Sequence, residues 1–409
     1  MDQTTLRKYA DLLVATGVNL QEGQILVVSC PVECAPFARL IAEAAYKRGA
    51  RQVVMNWGDE QISRLTYLHA PDDVFDEFPE WRKEFYLSLA RKGAAFLSIA
   101  AADPEAMKGV DPNRIMRSQI AANQAIKEYA DRMMSNKNRW LVASVPTKAW
   151  AKKVFPHLNE EEAVEKLWEA IIQATRADHD DPIQAWKDHS ARLHERVEYL
   201  NKIRFKELHF KNSLGTDLVV ELPEKHLWAG GSEVSADGIP FNPNIPSEEV
   251  FTLPKKDGVN GIVYSSKPLN YQGQLIDSFS LTFKEGKIVD FTAKVGYDAL
   301  KSLIETDEGS RYLGEVALVP YDSPISKSNI LFYNTLFDEN ASCHLAIGRA
   351  YPTSLIGGNE MTAEELASQG ANYSITHVDF MFGTEDLDII GITKDGKTVQ
   401  VFKDGNFVI

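Results

Sequence analysis

The sequence predicts an α/β protein in two parts, an open α/β domain over residues 1–200 followed by a β-rich α+β domain over residues 201–409. Three observations lead there. The chain of 409 residues is too long for one ordinary hydrophobic core. Its first half alternates short apolar runs with segments of helical period. From Ile203 the pattern changes to strand-like alternation broken by tight turns.

In the first half, Ile25-Leu26-Val27-Val28-Ser29 reads as a buried strand after Gly23. Phe37, Leu40, Ile41, Ala44 and Ala45 then recur at helical spacing up to Lys47, and Gly49 supplies a C-cap. Gln52–Trp57 follows as a second strand, which completes a βαβ unit and implies a parallel sheet. The same pairing recurs as Trp81–Arg91 (helix) into Ala95–Ile99, and as Ala121–Met134 (helix) into Trp140–Val145. No glycine-rich turn follows the first strand, where Ser29-Cys30-Pro31-Val32-Glu33-Cys34 stands instead, so there is no phosphate cradle. Two helices come next. Asn159 and Glu162 form a capping box for the first, and Pro182 takes the first position of the second. His179, Asp180 and Asp181 have the composition of a metal cluster, but an acidic helix cap is the simpler reading.

A domain boundary is expected near Tyr199–Lys202. Beyond it Glu207–Phe210, Leu218–Leu222 and Gly261–Tyr264 are strand-like. Phe283–Val289 reads as a hairpin, as do the Asp395-Gly396 and Asp404-Gly405 turns. Phe337–Gly348 reads as a short helix capped by Asn340, closed by Gly348, with His344 in its second turn.

The formal charge of −14 argues against nucleic acid or an anionic membrane as main partner. Cys30, Cys34 and Cys343 lack disulfide-framework or zinc-ribbon spacing, which suits a reducing, cytoplasmic setting. The N-terminus lacks the order of a signal peptide, and no apolar run approaches the roughly 18 residues of a membrane span.

The chemistry concentrates in the second half. Thr376–Gly383 has strand composition, so His377 and Asp379 share one face while Val378 and Phe380 look into a core. Glu248 and Glu249 precede an apolar strand, Glu315 opens a hydrophobic one, and His344 follows Cys343. Each has an ordinary alternative: a solvated face for the adjacent glutamates, an arginine partner for Glu315, a core position for His344. Taken together, Glu249, Glu315, His344, His377 and Asp379 are the hard-to-borderline donors that hold two divalent cations, with one carboxylate as bridge.

In Phe241–Thr252, Gly314–Ala317, Glu339–Ala346 and His377–Met381 the chain resembles the bacterial metallo-aminopeptidases typified by aminopeptidase T, aminopeptidase S and PepS, the thermophilic-type leucyl aminopeptidases. The resemblance extends over essentially the whole chain. It implies metal-ligand roles for Glu249, Glu315, His344, His377 and Asp379, selecting Glu249 over Glu248 and leaving out Asp386 and Asp388. It makes Glu339 and Tyr351 active-site groups that need not bind metal, as general base and oxyanion donor. The β-rich half is then the catalytic metal-binding domain. The implied enzyme hydrolyses the N-terminal residue from short peptides through a metal-bridged water. Its two ions are zinc or cobalt before manganese or magnesium, and it acts as a homodimer. Another dinuclear hydrolase, such as a phosphoesterase, and a non-catalytic α/β binding protein are the alternatives.

Overall fold

The computed structural model describes all 409 residues. The chain forms two compact units, Met1–Asp188 with Ser232–Pro246, and His189–Gly231 with Ser247–Ile409. The division therefore falls inside the helix Pro182–Ile203, ahead of the boundary expected near Tyr199–Lys202. The sequence pattern changes where strands begin, at Phe205, and this is not where packing changes sides. Ser232–Pro246 returns to the first unit because its backbone extends the edge of that unit's sheet. Val142 N–H donates to Pro243 O at 2.7 Å, and Ile245 N–H donates to Val142 O at 3.1 Å.

The first unit is built on four parallel strands, β1 (Ile25–Pro31), β2 (Gln52–Gly58), β3 (Ala95–Ile99) and β4 (Trp140–Ala143), in the order β2-β1-β3-β4. Parallel strands covered by helices need apolar runs, and β1 and β3 supply them, with Leu26, Val27, Val28 and Leu97 fully buried. The helices Ala35–Lys47 and Glu80–Arg91 match the expected ones. The helix expected over Ala121–Met134 is instead two, Pro112–Ala125 and Lys127–Met134, parted at Ile126. Asp111 caps the first through the Asn113 N–H, so it starts well upstream of the stretch that periodicity marked. The Asn159/Glu162 capping box is present on Glu160–Ala174. Asp181 caps the next helix by accepting from Gln184 N at 3.0 Å, while His179 and Asp180 are exposed.

The second unit pairs two antiparallel sheets. The larger has nine strands, running from Leu269–Tyr271 through Gln274–Lys284, Val259–Tyr264, Asp217–Glu221, Phe205–Lys211, Asp388–Thr393 and Thr398–Lys403 to Asn406–Phe407, with Lys287–Val295 paired to Gln274–Lys284. All three expected hairpins are here. The smaller sheet has five strands: β5 (Ala229–Gly230), β6 (Val250–Thr252), β7 (Leu313–Leu318), β8 (His344–Gly348) and β9 (His377–Met381), in the order β9-β8-β7-β6-β5.

The two sheets share one core. Phe210, Leu218, Phe279 and Leu281 of the larger meet Val316, Leu318, Leu345, Ile347 and Phe380 of the smaller, and Leu300, Leu303 and Ile304 of the helix Tyr297–Ile304 close it. Phe279 and Phe380 pack with ring centroids 5.5 Å apart. Val378 and Phe380 thus face the core, and the alternate residues of β7, β8 and β9 are turned away from it. No helix of the protein is long and apolar enough to cross a membrane.

Leu345 is completely buried in this core between strands that carry the acids and histidines on their other face. Leu345→Ala is expected to lower the unfolding free energy by about 2–5 kcal/mol. Urea unfolding of variant and parent at matched metal content measures it, and a change near zero would mean that this core does not hold the sheet.

Candidate metal centre

Strand register assembles the site. Glu315 of β7, Ala346 of β8 and Asp379 of β9 stand on one rung. Ala317, His344 and Met381 form the next, and Gly348 pairs with His377 on the other side. Side chains of paired residues emerge on the same face, so Glu315, His344, His377 and Asp379 all leave the sheet opposite the core. The alanines between them keep that face open. Glu249 joins from the residue just before β6, whose Val250 is in the core.

His344 is therefore on a strand, not in the helix expected over Phe337–Gly348. Only Thr335–Asp338 and the 3-10 turn Glu339–Ala341 are helical, and backbone pairing with both β7 and β9 extends the residues that follow. Tertiary pairing overrides a local pattern in which Asn340 and Gly348 look like caps.

Glu315 faces outward because of a β-bulge. Leu313 pairs with Ile347 on the core side, yet Glu315 pairs with Ala346, so Gly314 is the extra residue. A regular ladder that kept Leu313 opposite Ile347 would set Glu315 opposite Leu345, in the core. A Cβ on Gly314 would come within 2.3 Å of Arg349 O and 2.5 Å of Gly348 O, which is why glycine occupies the bulge.

The distances describe two donor groups. Glu249, Glu315 and His344 offer atoms mutually within 4.8 Å, and so do Glu315, His377 and Asp379. His344 Nε2 lies 2.9 Å from Glu249 Oε2 and 3.5 Å from Glu315 Oε1. His377 Nε2 lies 3.7 Å from Glu315 Oε2 and 3.6 Å from Asp379 Oδ1. Glu315 thus turns one oxygen towards each histidine.

Both imidazoles are oriented from behind. His344 Nδ1 meets Glu339 O at 3.0 Å and Ser342 O at 3.1 Å, and His377 Nδ1 meets Arg349 O at 2.7 Å. A carbonyl accepts, so Nδ1 carries the hydrogen and each neutral ring points the Nε2 lone pair at the carboxylates. Glu249 Oε2 and Asp379 Oδ1 are buried, and with both rings neutral they face no hydrogen-bond donor. Lone pairs facing lone pairs across about 3 Å are the arrangement a divalent cation fits.

Without a cation, protons must do the work. Burial disfavours charge on His344, but Glu249 and Glu315 outweigh it and hold the imidazole pKa well above its ordinary value. At His377 burial is likewise outweighed, by Asp379 and Glu315, and the pKa rises to about 9. Burial pushes Glu315 up to about 7, with Asp379 and Glu249 adding to the rise and the His344 hydrogen bond opposing it. Burial would raise Asp379 too, but His377 and His344 prevail and lower it.

The two remaining expected residues adjoin this cluster. Glu339 is buried, and its carboxyl stays well above the usual range through burial first, then Asp379 and Glu249. The Tyr351 ring sits edge-on to His377 at 4.9 Å and 6.0 Å from Phe251. Burial and the same carboxylates raise its hydroxyl pKa, so the hydroxyl keeps its proton. Glu248 is buried as well, with Oε2 3.7 Å from His189 Nε2. Asp386 accepts from Ser213 N and Thr384 Oγ1, and Asp388 pairs with Lys403, so both are engaged away from the donors.

Sequence reasoning missed the supports. Asp338 accepts from Phe332 N at 2.9 Å and Asn334 N at 3.0 Å, bracing the loop ahead of Glu339, and burial raises its pKa to about 7. Asn372 Nδ2 donates to Gly309 O and Gly348 O, and the Asn372 main-chain carbonyl accepts from Ala350 N, fixing the turn that presents Arg349 O to His377. An acid before Glu339 and an asparagine ahead of the His-x-Asp strand are visible in the sequence, but nothing local marks them as braces.

Oxygen and nitrogen donors in this proportion, on one sheet face of an α/β chain, define the class of proteins that hold divalent cations for Lewis-acid chemistry. Residues 2–407 match the peptidase family described as thermophilic metalloprotease (M29), and the chain belongs to that family. It is a metallopeptidase. It is 52% identical over 402 residues to aminopeptidase 2 of Geobacillus stearothermophilus, covering 98% of this chain and 97% of that one. To aminopeptidase T of Thermus thermophilus it is 43% identical over 404 residues, 99% of this chain and 98% of that one. The solved structure of wild-type AmpT from Thermus thermophilus superposes with a TM-score of 0.92 at 42% identity over all of both chains.

Both histidines have raised pKa values, so a cation held by them at pH 7 would displace protons. Titration calorimetry in buffers of different ionisation enthalpy is expected to show proton release. The release should shrink as pH rises through about 9, where His377 loses its proton unaided. Buffer-independent heats at pH 7 would mean that these imidazoles carry no proton for a cation to displace.

Proposed function

We propose that this chain is a dinuclear aminopeptidase that removes the N-terminal residue from short peptides, with Glu249, Glu315, His344, His377 and Asp379 as the metal ligands. The observation that carries the reading is Glu315, shared by two donor groups with one oxygen turned to each. Carboxylate and imidazole donors favour zinc or cobalt before manganese or magnesium. When bound, such cations supply Lewis acidity towards the scissile carbonyl and acidify a water.

The remaining chemistry belongs to the side chains. Glu339, buried beside the five donors, accepts the proton of the attacking water and delivers it to the leaving amine. Tyr351, held protonated against His377, donates a hydrogen bond to the carbonyl oxygen as negative charge develops there. The acidic surplus of the site favours a substrate that brings an α-ammonium group, as a peptide N-terminus does. The names of the relatives support the exopeptidase reading. Three buried free cysteines fit action in the cytoplasm. A homodimer whose cavity admits only short peptides completes the proposal, and its mass is directly measurable.

Two experiments test this. Peptides blocked at the N-terminus should be poor substrates and C-terminally amidated ones good. Efficient internal cleavage of an N-acetylated peptide would make the chain an endopeptidase. Glu315→Gln should abolish turnover and reduce bound metal to one ion or none, since a neutral amide bridges two dications poorly. Two tightly held metals with near-normal kcat in that variant would refute the shared ligand.

A further inference from the structure

One buried amide joins segments that the chain brings in from far apart. Asn340 has no exposed surface. Its Oδ1 accepts the Glu248 N–H at 2.6 Å, across 92 residues of sequence, immediately before Glu249. Its Nδ2 donates to Leu336 O at 2.9 Å, inside the turn that carries Glu339, and lies 3.5 Å from Glu339 Oε1. Its own carbonyl accepts from Ser323 Oγ at 3.1 Å.

We propose that Asn340 is the positioning residue of this centre, one amide that fixes Glu249 and Glu339 relative to each other. The inference rests on the reading of Glu249 as a ligand and Glu339 as the base. An amide is suited to the task because it presents an acceptor and a donor from a single rigid plane. The acceptor anchors the backbone that aims Glu249. The donor holds the turn and stands beside the Glu339 carboxylate. A carboxylate at position 340 would face the Leu336 carbonyl and Glu339 with lone pairs. An aliphatic side chain would leave the Glu248 N–H buried without an acceptor, at the full cost of its desolvation. Neither contact touches substrate, so the role is one of geometry, transmitted through two other acids.

The test compares Asn340→Leu with Ser323→Ala in the full-length protein, stripped of metal and refilled with zinc or cobalt. Asn340→Leu keeps the volume and removes both contacts. Its divalent-cation affinity, measured by calorimetry, is expected to weaken about 10–100-fold. Its kcat at saturating cation should fall about 10²-fold as Glu339 drifts, with KM little changed. Ser323→Ala removes a buried hydrogen bond to the same residue but leaves the amide in place. It should lower the thermal midpoint while cation affinity and kcat stay close to the parent's. Parent-like affinity and kcat in Asn340→Leu would overturn the proposal. So would matching losses in Ser323→Ala, which would make the effect one of general destabilisation. If Asn340→Leu fails to fold, Asn340→Ser can serve only one of the two contacts and should lose affinity or kcat, and a fully parent-like Asn340→Ser overturns the proposal as well. A parent protein that binds no divalent cation, or cleaves no aminoacyl substrate, would instead sink the metallo-aminopeptidase reading itself.

Discussion

Four carboxylates, those of Glu249, Glu315, Glu339 and Asp379, crowd one sheet face largely closed to water. Like charges about 4 Å apart repel by about 4 kcal/mol per pair at an effective dielectric of 20, so positive charge must stand among them. In the cation-free protein protons on the imidazoles meet that need, and protons held by the raised carboxyls of Glu315 and Glu339 relieve the rest. In the loaded protein the cations would take over. The histidines lock the arrangement from behind, since each Nδ1 is committed to a backbone carbonyl and only Nε2 is left to face the acids.

That constraint explains the division of the small sheet into two faces. Val316, Leu318, Leu345, Ile347 and Phe380 supply the burial that holds the strands together, and the alternate residues of the same strands carry the donors. Stability and chemistry are thus written on alternate residues, and the backbone ladder between them sets donor spacing to within the pleat of a strand. Ala317 and Ala346 matter by being small, because a bulkier residue on those rungs would occupy the space between the acids and the imidazoles.

Much of the fold was legible in the sequence. The parallel βαβ half, the capping box at Asn159, the three hairpins and the two-faced strand at His377 all follow from period, caps and turn residues. Element boundaries and pairings were less so. The Phe337–Gly348 segment has an asparagine and a glycine where a helix would, and only its neighbours β7 and β9 make His344 part of a strand. The Asp111 cap, upstream of the periodic stretch, moves the start of its helix. The donors illustrate the wider limit. Glu249, Glu315, His344 and the His377/Asp379 pair are far apart in sequence, and no local spacing encodes their meeting. Family resemblance named them, whereas Asn340 and Asn372, which brace them, have no local signature beyond that of a cap or a loop residue.

The bulge at Gly314 has an evolutionary side. Deleting that one codon would leave Leu313 opposite Ile347 and Glu315 still opposite Ala346, in a ladder without the bulge, whereas any substitution that gives residue 314 a Cβ would drive it into Arg349 O and Gly348 O. The strand therefore tolerates a change of length at this point better than a change of residue, and glycine is held there by two carbonyl oxygens rather than by the chemistry of the acid beside it.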